Sequence, residues 1–99
     1  MEYAIFEVKK DQIGKIDQVI RDDIVSRQSI TTRDAGALDI DKEVTYVKIE
    51  GSKEGIKRAE ELFEEIDVKR LPEKEAQEIN EKMKSQDDSA AVGMGMIFG

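Results

Sequence analysis

Two segments of the chain alternate apolar and polar residues in the way that is typical of β-strands. They are residues 3–8 and residues 44–50. One face of each carries small or apolar side chains: Ala4, Phe6 and Val8 in the first segment, and Thr45, Val47 and Ile49 in the second. A third, shorter segment over residues 26–32 is polar and β-branched around Ile30, which predicts an edge strand.

Two other segments repeat apolar residues at the spacing of an amphipathic α-helix. The first runs from Gln12 to Val25 and the second from Lys53 to about Ile66. Their apolar positions are Ile13, Ile16, Val19, Ile20 and Ile24 in the first, and Ile56, Ala59, Leu62, Phe63 and Ile66 in the second. A third helix is predicted to begin at Pro72, which suits a first helical position. Its apolar stripe of Ala76, Ile79 and Met83 is thin, so we expect this helix to lie on the surface.

The predicted order of elements is β-α-β-β-α-(β)-α, which favours an α+β fold built as a two-layer sandwich. Residues 67–71 decide between two variants. If they form a strand, the topology is the ferredoxin-like split βαβ arrangement. If they do not, a three-stranded sheet with helices on one face is expected.

The chain is predicted to form a single domain over residues 1–84, followed by a flexible tail over residues 85–99. Close glycines among the last residues, such as Gly93 and Gly95, argue against regular structure there. The final apolar residues could dock on the domain, add a strand or stay loose, and the sequence leaves these alternatives open.

The amino-acid composition restricts the possible functions of the chain more than it restricts the possible folds. The 99 residues carry a net charge of −7 and contain no Cys, His or Trp. The missing residue types exclude structural zinc sites, thiol chemistry and imidazole-based catalysis, so we expect no enzyme activity. The negative charge makes a nucleic-acid partner unlikely and argues against an anionic membrane.

The sequence shows no signal peptide and no apolar run of about 20 residues that could span a membrane. We therefore expect a cytoplasmic protein. Isoleucine outnumbers leucine by 12 to 3, which is compatible with a thermophilic or archaeal source.

The main candidate for chemistry is an acidic loop. Asp34, Asp39, Asp41 and Glu43 fall within ten residues, just before the strongest predicted strand. Carboxylate oxygens suit Ca²⁺, and alternation on an extended segment places Asp39, Asp41 and Glu43 on one side. An EF-hand is excluded because Val44 stands where that loop needs glycine. Affinity is expected to be weak, and four solvated carboxylates without any ion are an open alternative.

Residues 51–55 form a second candidate, because the N-terminus of a helix can bind an anion. A turn capped by Ser52 is the simpler interpretation, since Glu54 already occupies the first helical turn. If this turn and the acidic loop meet at one end of the sheet, the Ser52 hydroxyl would complete the cation site. The scattered basic residues are expected to form ion pairs on helix surfaces.

Two family resemblances follow from these residues. Residues 44–63 resemble the last β-α unit of KH RNA-binding domains. The residues Gly14-Lys15-Ile16-Asp17, however, lack the second glycine of the loop that clamps RNA in that family. Residues 1–71 resemble a small archaeal family of uncharacterised α+β proteins with a proposed acidic calcium-binding pocket. This resemblance implies that Asp34, Asp39, Asp41, Glu43 and Ser52 are the metal-binding positions.

The leading hypothesis from the sequence is therefore a small non-enzymatic domain with a weak Ca²⁺ site at the acidic loop. The alternative is an interaction module that uses its sheet face or its Met- and Gly-rich tail to bind a protein or, less favourably, RNA.

Overall fold

The computed structural model describes residues 2–98, and the side chains of residues 2–85. Its strands are β1 (Glu2–Lys9), β2 (Ser29–Asp34) and β3 (Val44–Gly51), and its α-helices are α1 (Ile16–Ile20), α2 (Lys53–Glu65) and α3 (Glu73–Phe98). Three short 3-10 helices connect them: Lys10–Lys15, Val25–Arg27 and Ala35–Leu38. The backbone of residues 85–98 continues α3, so the expectation that Gly93 and Gly95 prevent regular structure there is wrong, while the flexibility and docking of the tail over residues 85–99 stay predictions.

The three strands form one antiparallel sheet in the order β1-β3-β2. β3 lies in the centre and pairs with β1 from Lys9↔Val44 to Glu2↔Gly51. Its other side pairs with β2 from Asp34↔Thr45 to Ser29↔Glu50. The predicted α+β fold is confirmed, and β2 lies two to three residues later than the sequence suggested.

Residues 67–71 make a single bridge instead of a strand. Arg70 bridges to Phe6, and the Leu71 backbone N–H donates to the Ile5 carbonyl at 2.8 Å. The contact lies on the outer edge of β1, where the fourth strand of a ferredoxin-like sheet would pair. Asp67, which precedes it, has a left-handed backbone (φ 60°) that interrupts an extended conformation. The sheet is therefore three-stranded, but the helices expected on one face lie on both, with α1 and α2 on one side and α3 on the other.

One face of the sheet packs against α1 and α2. The buried side chains of this first core come from β1, β3, α1, α2, the 3-10 helix Val25–Arg27 and the segment after α2: Ala4, Phe6, Val8, Ile16, Val19, Val25, Val47, Ile49, Ile56, Ala59, Phe63 and Val68. At its centre Phe6 and Phe63 stack with ring centroids 4.2 Å apart. The alternation predicted for β1 and β3 is confirmed, since this face holds the predicted small and apolar positions.

The helix predicted over residues 12–25 is broken into shorter pieces. The Asp22 carboxylate accepts hydrogen bonds from the backbone N–H groups of Ile24 and Val25 at 3.1 and 3.2 Å. In a continuous helix those two groups would donate to carbonyls four residues earlier, so the side chain competes with the helix. Arg58 of α2 holds the same carboxylate at 3.2 Å. Ile16 and Val19 are buried and Ile20 packs against the core as predicted, but Ile13 is exposed and the continuous helix is wrong because of the break at Asp22.

The second face of the sheet is covered by α3. Ala76, Ile79 and Met83 are 6%, 7% and 2% exposed, and they pack with Ile5 and Tyr46 of the sheet. The 3-10 helix Ala35–Leu38 adds Ala35 and Leu38 to the same cluster. The prediction that the third helix lies on the surface is wrong, because its apolar stripe is buried and covers Ile5 and Tyr46 together with Ala35 and Leu38.

Asn80 is a weak point of this second core. It is only 8% exposed, and its Oδ1 atom has no hydrogen-bond partner in the described part of the chain. A buried acceptor without a partner costs about 1–3 kcal/mol of stability. We therefore expect Asn80→Leu, which has nearly the same shape, to raise the free energy of unfolding by about 1 kcal/mol. Urea unfolding followed by circular dichroism measures the change.

Asn80→Asp is the matched control, because it places a charge at the same buried position and should destabilise the fold. A loss of stability in Asn80→Leu would show that the Asn80 amide is satisfied in solution.

Candidate cleft beside the acidic loop

The structure places the four predicted acidic residues in different environments. Asp34 ends β2, and its Oδ1 accepts a hydrogen bond from the Thr45 hydroxyl at 2.9 Å. Asp39 has a left-handed backbone (φ 59°) that ends the 3-10 helix Ala35–Leu38, a conformation that Asp tolerates. Glu43 forms an exposed ion pair with Lys10 at 3.4 Å. Asp41 is exposed in the loop between them.

The alternation predicted for this loop turns the acids away from the domain. Ile40 packs against the second core, and Lys42 pairs with Glu7 at 3.3 Å, whereas Asp39, Asp41 and Glu43 are exposed. Within the part of the chain that the structure describes, no group of three or more acidic residues could hold a metal ion. The Ca²⁺ site at this loop stays a prediction.

Ser52 lies far from the acidic loop. The loop precedes β3 and Ser52 follows it, so the eight residues of the strand separate them by roughly 25 Å. The expectation that the two loops meet at one end of the sheet is wrong for this reason. Ser52 instead caps α2, since its hydroxyl oxygen accepts the Gly55 backbone N–H at 3.1 Å.

The predicted capped turn is therefore confirmed, and Gln28 completes it. The Gln28 side chain accepts the Ser52 N–H through Oε1 at 3.1 Å and donates through Nε2 to the Ile24 carbonyl. A Cβ atom at Gly51 or Gly55 would overlap this side chain, so a larger residue at either position would displace Gln28 from the turn. The Ser52 and Gly55 backbone N–H groups at this helix N-terminus are therefore already bonded within the chain.

The cleft that the sequence did not reveal lies between the second face of the sheet and α3. It has a volume of about 310 Å³. Ile40, Leu71 and Ile79 form its apolar floor. Charged and polar residues from β1, β3, the acidic loop and α3 surround this floor: Glu7, Lys42, Tyr46, Glu75, Glu78 and Lys82.

A hydrogen-bonded group of three residues forms the inner wall. Glu7 and Tyr46 face each other across β1 and β3, and the Tyr46 hydroxyl donates to Glu7 Oε1 at 3.4 Å. Lys42 Nζ donates to the same oxygen at 3.3 Å. Tyr46 is only 2% exposed, so its ring belongs to the core while its hydroxyl reaches the cleft.

The environment fixes the protonation of two of these groups. Burial raises the pKa of the Tyr46 phenol, and the negative charge of Glu7 raises it further. The hydrogen bond to Glu7 and its charge raise the pKa of Lys42. Tyr46 is therefore a neutral hydrogen-bond donor and Lys42 a cation throughout the physiological range.

The outer rim carries charges without a close ion pair, although the charge of Glu75 contributes to the raised pKa values of Lys42 and Tyr46. Glu75, Glu78 and Lys82 are exposed, and none of them has an ion pair within 4.0 Å among residues 2–85. Their spacing along α3 places them on one side of the helix, next to the buried stripe of Ala76 and Ile79. With Glu7, the cleft holds three carboxylates and two ammonium groups.

Neither a protein-family model, nor a curated protein, nor a solved structure matches this chain. The two resemblances drawn from the sequence therefore stay predictions. Among the described residues, no helix combines the length and the apolar character that crossing a membrane requires.

The contact between Glu7 and Tyr46 on the inner wall predicts how the pKa of Tyr46 responds to a substitution of Glu7. Because the charge of Glu7 helps to raise the pKa of the Tyr46 phenol, Glu7→Gln should lower that pKa. Burial remains, so the value should stay above the ordinary value of about 10. Tyr46 is followed by NMR or by ultraviolet absorbance during an alkaline titration. Glu43→Gln, which removes an exposed acid of the same loop, is the control and should leave Tyr46 unchanged.

An unchanged Tyr46 pKa in Glu7→Gln would mean that the hydrogen bond between the two side chains does not persist in solution.

The acidic loop supports a separate test of the calcium hypothesis. A site there predicts saturable amide shifts on adding Ca²⁺, confined to residues 34–43, with a dissociation constant in roughly the millimolar range. Asp39→Asn combined with Asp41→Asn should abolish saturation. Shifts spread evenly over all surface acids, or an equal response to Mg²⁺, would contradict a calcium site.

Proposed function

We propose that the chain is a non-enzymatic protein-interaction module whose cleft receives a lysine or arginine side chain of a partner. The observation that carries this proposal is the pair Glu75 and Glu78, two exposed carboxylates without an ion pair in residues 2–85, beside an apolar floor. A cation on an apolar stem matches both parts of the cleft. Its methylene groups would cover Ile79 and its neighbours while its charge reaches the rim.

The electrostatics of the whole chain favour the same kind of partner. A net charge of −7 attracts basic surfaces over a distance of several ångströms and speeds their association. The local excess of carboxylates in the cleft then selects where the basic group binds. Tyr46 and Lys42 keep Glu7 in place by their hydrogen bonds, so the inner wall is formed before a ligand arrives.

The size and shape of the cleft favour a protein side chain over a free small molecule. Its volume of about 310 Å³ is near the lower end of ligand pockets, which span roughly 300–1,000 Å³. Its rim residues are exposed, so the cleft covers a ligand from one side only. A free amine would gain little from such a site, whereas a partner protein adds contacts around it.

The test uses a peptide with one central lysine, acetyl-Ser-Ala-Lys-Ala-Ser-amide, and NMR shifts of Ile40, Tyr46 and Ile79. We expect saturable shifts at these residues and none with the norleucine peptide, which keeps the stem and lacks the charge. Glu75→Gln combined with Glu78→Gln should weaken binding roughly fivefold, since two exposed ion pairs together contribute about 1 kcal/mol.

The control is Glu54→Gln combined with Glu65→Gln, which makes the same change in net charge on exposed positions of α2. This variant should bind within about a factor of two of the original chain, because distant exposed charges are screened by salt. Equal weakening in both variants would show that net charge alone attracts the peptide. If n-butylammonium binds as tightly as the lysine peptide, the ligand is a free amine and the proposal of a protein partner fails.

A further inference from the structure

The rim that α3 contributes to the cleft carries charges of both signs. Glu78 and Lys82 line the cleft, and both residues are exposed. They lie four residues apart on α3, so they are on the same side of the helix and about 6 Å apart along its axis. A glutamate and a lysine at this spacing can pair with each other. Within residues 2–85, however, neither of them has an ion pair within 4.0 Å.

The other charged groups of the cleft already act on one another. Lys42 Nζ lies 3.3 Å from Glu7 Oε1, and the Tyr46 hydroxyl donates to the same oxygen. The negative charge of Glu75 contributes to the raised pKa of Lys42. The inner wall is thus close to neutral, and the rim pair of Glu78 and Lys82 offers one charge of each sign to a ligand.

The apolar floor lies directly beside this pair. Ile79 follows Glu78 on α3, is only 7% exposed and faces the second core together with the half-buried Ile40. A ligand stem that covers the exposed parts of these two residues therefore approaches both rim charges from the side of the sheet. The rim determines which charged groups such a ligand should carry.

We propose that the cleft recognises a pair of opposite charges on its partner: a lysine or arginine that binds Glu78, and an aspartate or glutamate that binds Lys82. This inference rests on the proposed function and specifies the chemistry of the partner beyond a single basic residue. The required distance between the two ligand charges is set by the rim, about 6 Å along α3.

Common backbone conformations of a partner provide this distance. In an extended segment, residues i and i+2 point to the same side about 6.7 Å apart. In a helix, residues i and i+4 do so about 6 Å apart. Adjacent residues of an extended segment point to opposite sides and cannot reach both rim charges.

The positive end of the rim gives the cleft a selectivity that net charge cannot provide. A chain with a net charge of −7 attracts any basic surface at long range. A partner with two basic residues at the spacing of the rim would place the second one opposite Lys82, where like charges repel each other. The cleft should therefore prefer a mixed pair of charges to a run of basic residues.

Pairing of Glu78 with Lys82 in the free chain would compete with the ligand. An exposed pair at this helical spacing is weak, so this competition reduces the affinity for the ligand by no more than about a factor of two.

The experiment compares peptides that differ at one residue from the single-lysine peptide, with the NMR shifts of Ile40, Tyr46 and Ile79 as the measurement. Acetyl-Ser-Ala-Lys-Ala-Glu-amide should bind about threefold more tightly than acetyl-Ser-Ala-Lys-Ala-Ser-amide, as expected for one added exposed ion pair. Acetyl-Ser-Ala-Lys-Ala-Lys-amide should bind no more tightly than the single-lysine peptide, although its charge is higher. The control for spacing is acetyl-Ser-Ala-Lys-Glu-Ala-amide, which has the composition of the first peptide and should show no gain.

Variants of Lys82 identify the residue that reads the acidic group. Lys82→Gln should abolish the gain from the glutamate. Lys82→Glu should reverse the preference, so that the peptide with two lysines binds about threefold more tightly than the peptide with lysine and glutamate. Lys74→Gln is the matched control, because it removes a cation from an exposed position of α3 that does not line the cleft, and it should keep the original preference.

The outcomes separate this inference from the proposed function. If the single-lysine peptide binds and the added glutamate gives no gain, the paired ligand is wrong and the lysine site stands. If only the peptide with lysine and glutamate at the rim spacing binds, the paired ligand stands and a single lysine is not sufficient. Absence of binding by all the peptides contradicts both, and an unchanged preference in Lys82→Glu overturns the role of Lys82.

Discussion

The fold depends on the fact that the two best strands are apolar on both faces. β1 buries Phe6 and Val8 on one side and Ile5 on the other, and β3 does the same with Val47 and Tyr46. A sheet of this kind cannot leave either face to water, because each large side chain contributes about 1.5–3 kcal/mol when it is buried. The pair α1 and α2 covers the first face, and α3 is needed for the second. The position of α3 in turn creates the cleft.

The strands, α2 and the first core could be predicted from the sequence because the apolar residues of each element repeat at one regular spacing. It could not predict the docking of α3, since Ala76, Ile79 and Met83 become a core stripe only when Ile5 and Tyr46 are known to face them. The break in the first predicted helix has a similar cause. It depends on the Asp22 carboxylate, whose orientation is set partly by Arg58, far away in sequence.

The acidic loop shows why a count of charges is a poor guide to a site. Alternation was predicted for an extended loop, but Asp39 has a left-handed backbone, and the burial of Ile40 decides which side chains of the loop face the domain. Once Ile40 packs against the second core, its neighbours Asp39 and Asp41 are turned to solvent. The residue that enters the cleft from this loop is Lys42, through its bond to Glu7. The signal available in the sequence was that Glu7 and Tyr46 lie on the strand faces opposite Phe6 and Val47, where a charged and a phenolic side chain stand beside apolar ones.

The number of strands in the sheet also follows from the need to cover its second face. At the β1 edge, the chain returns after α2 and makes the single Arg70 bridge, and the Glu60 carboxylate holds the Arg70 guanidinium at 3.4 Å. Because the chain must then turn toward α3 to cover Ile5, it cannot continue as a fourth strand along β1. Covering the second face thus limits the sheet to three strands. It also leaves β2 without a returning chain from residues 2–85, and the Arg33 guanidinium instead donates to the Thr32 carbonyl of that edge at 2.8 Å.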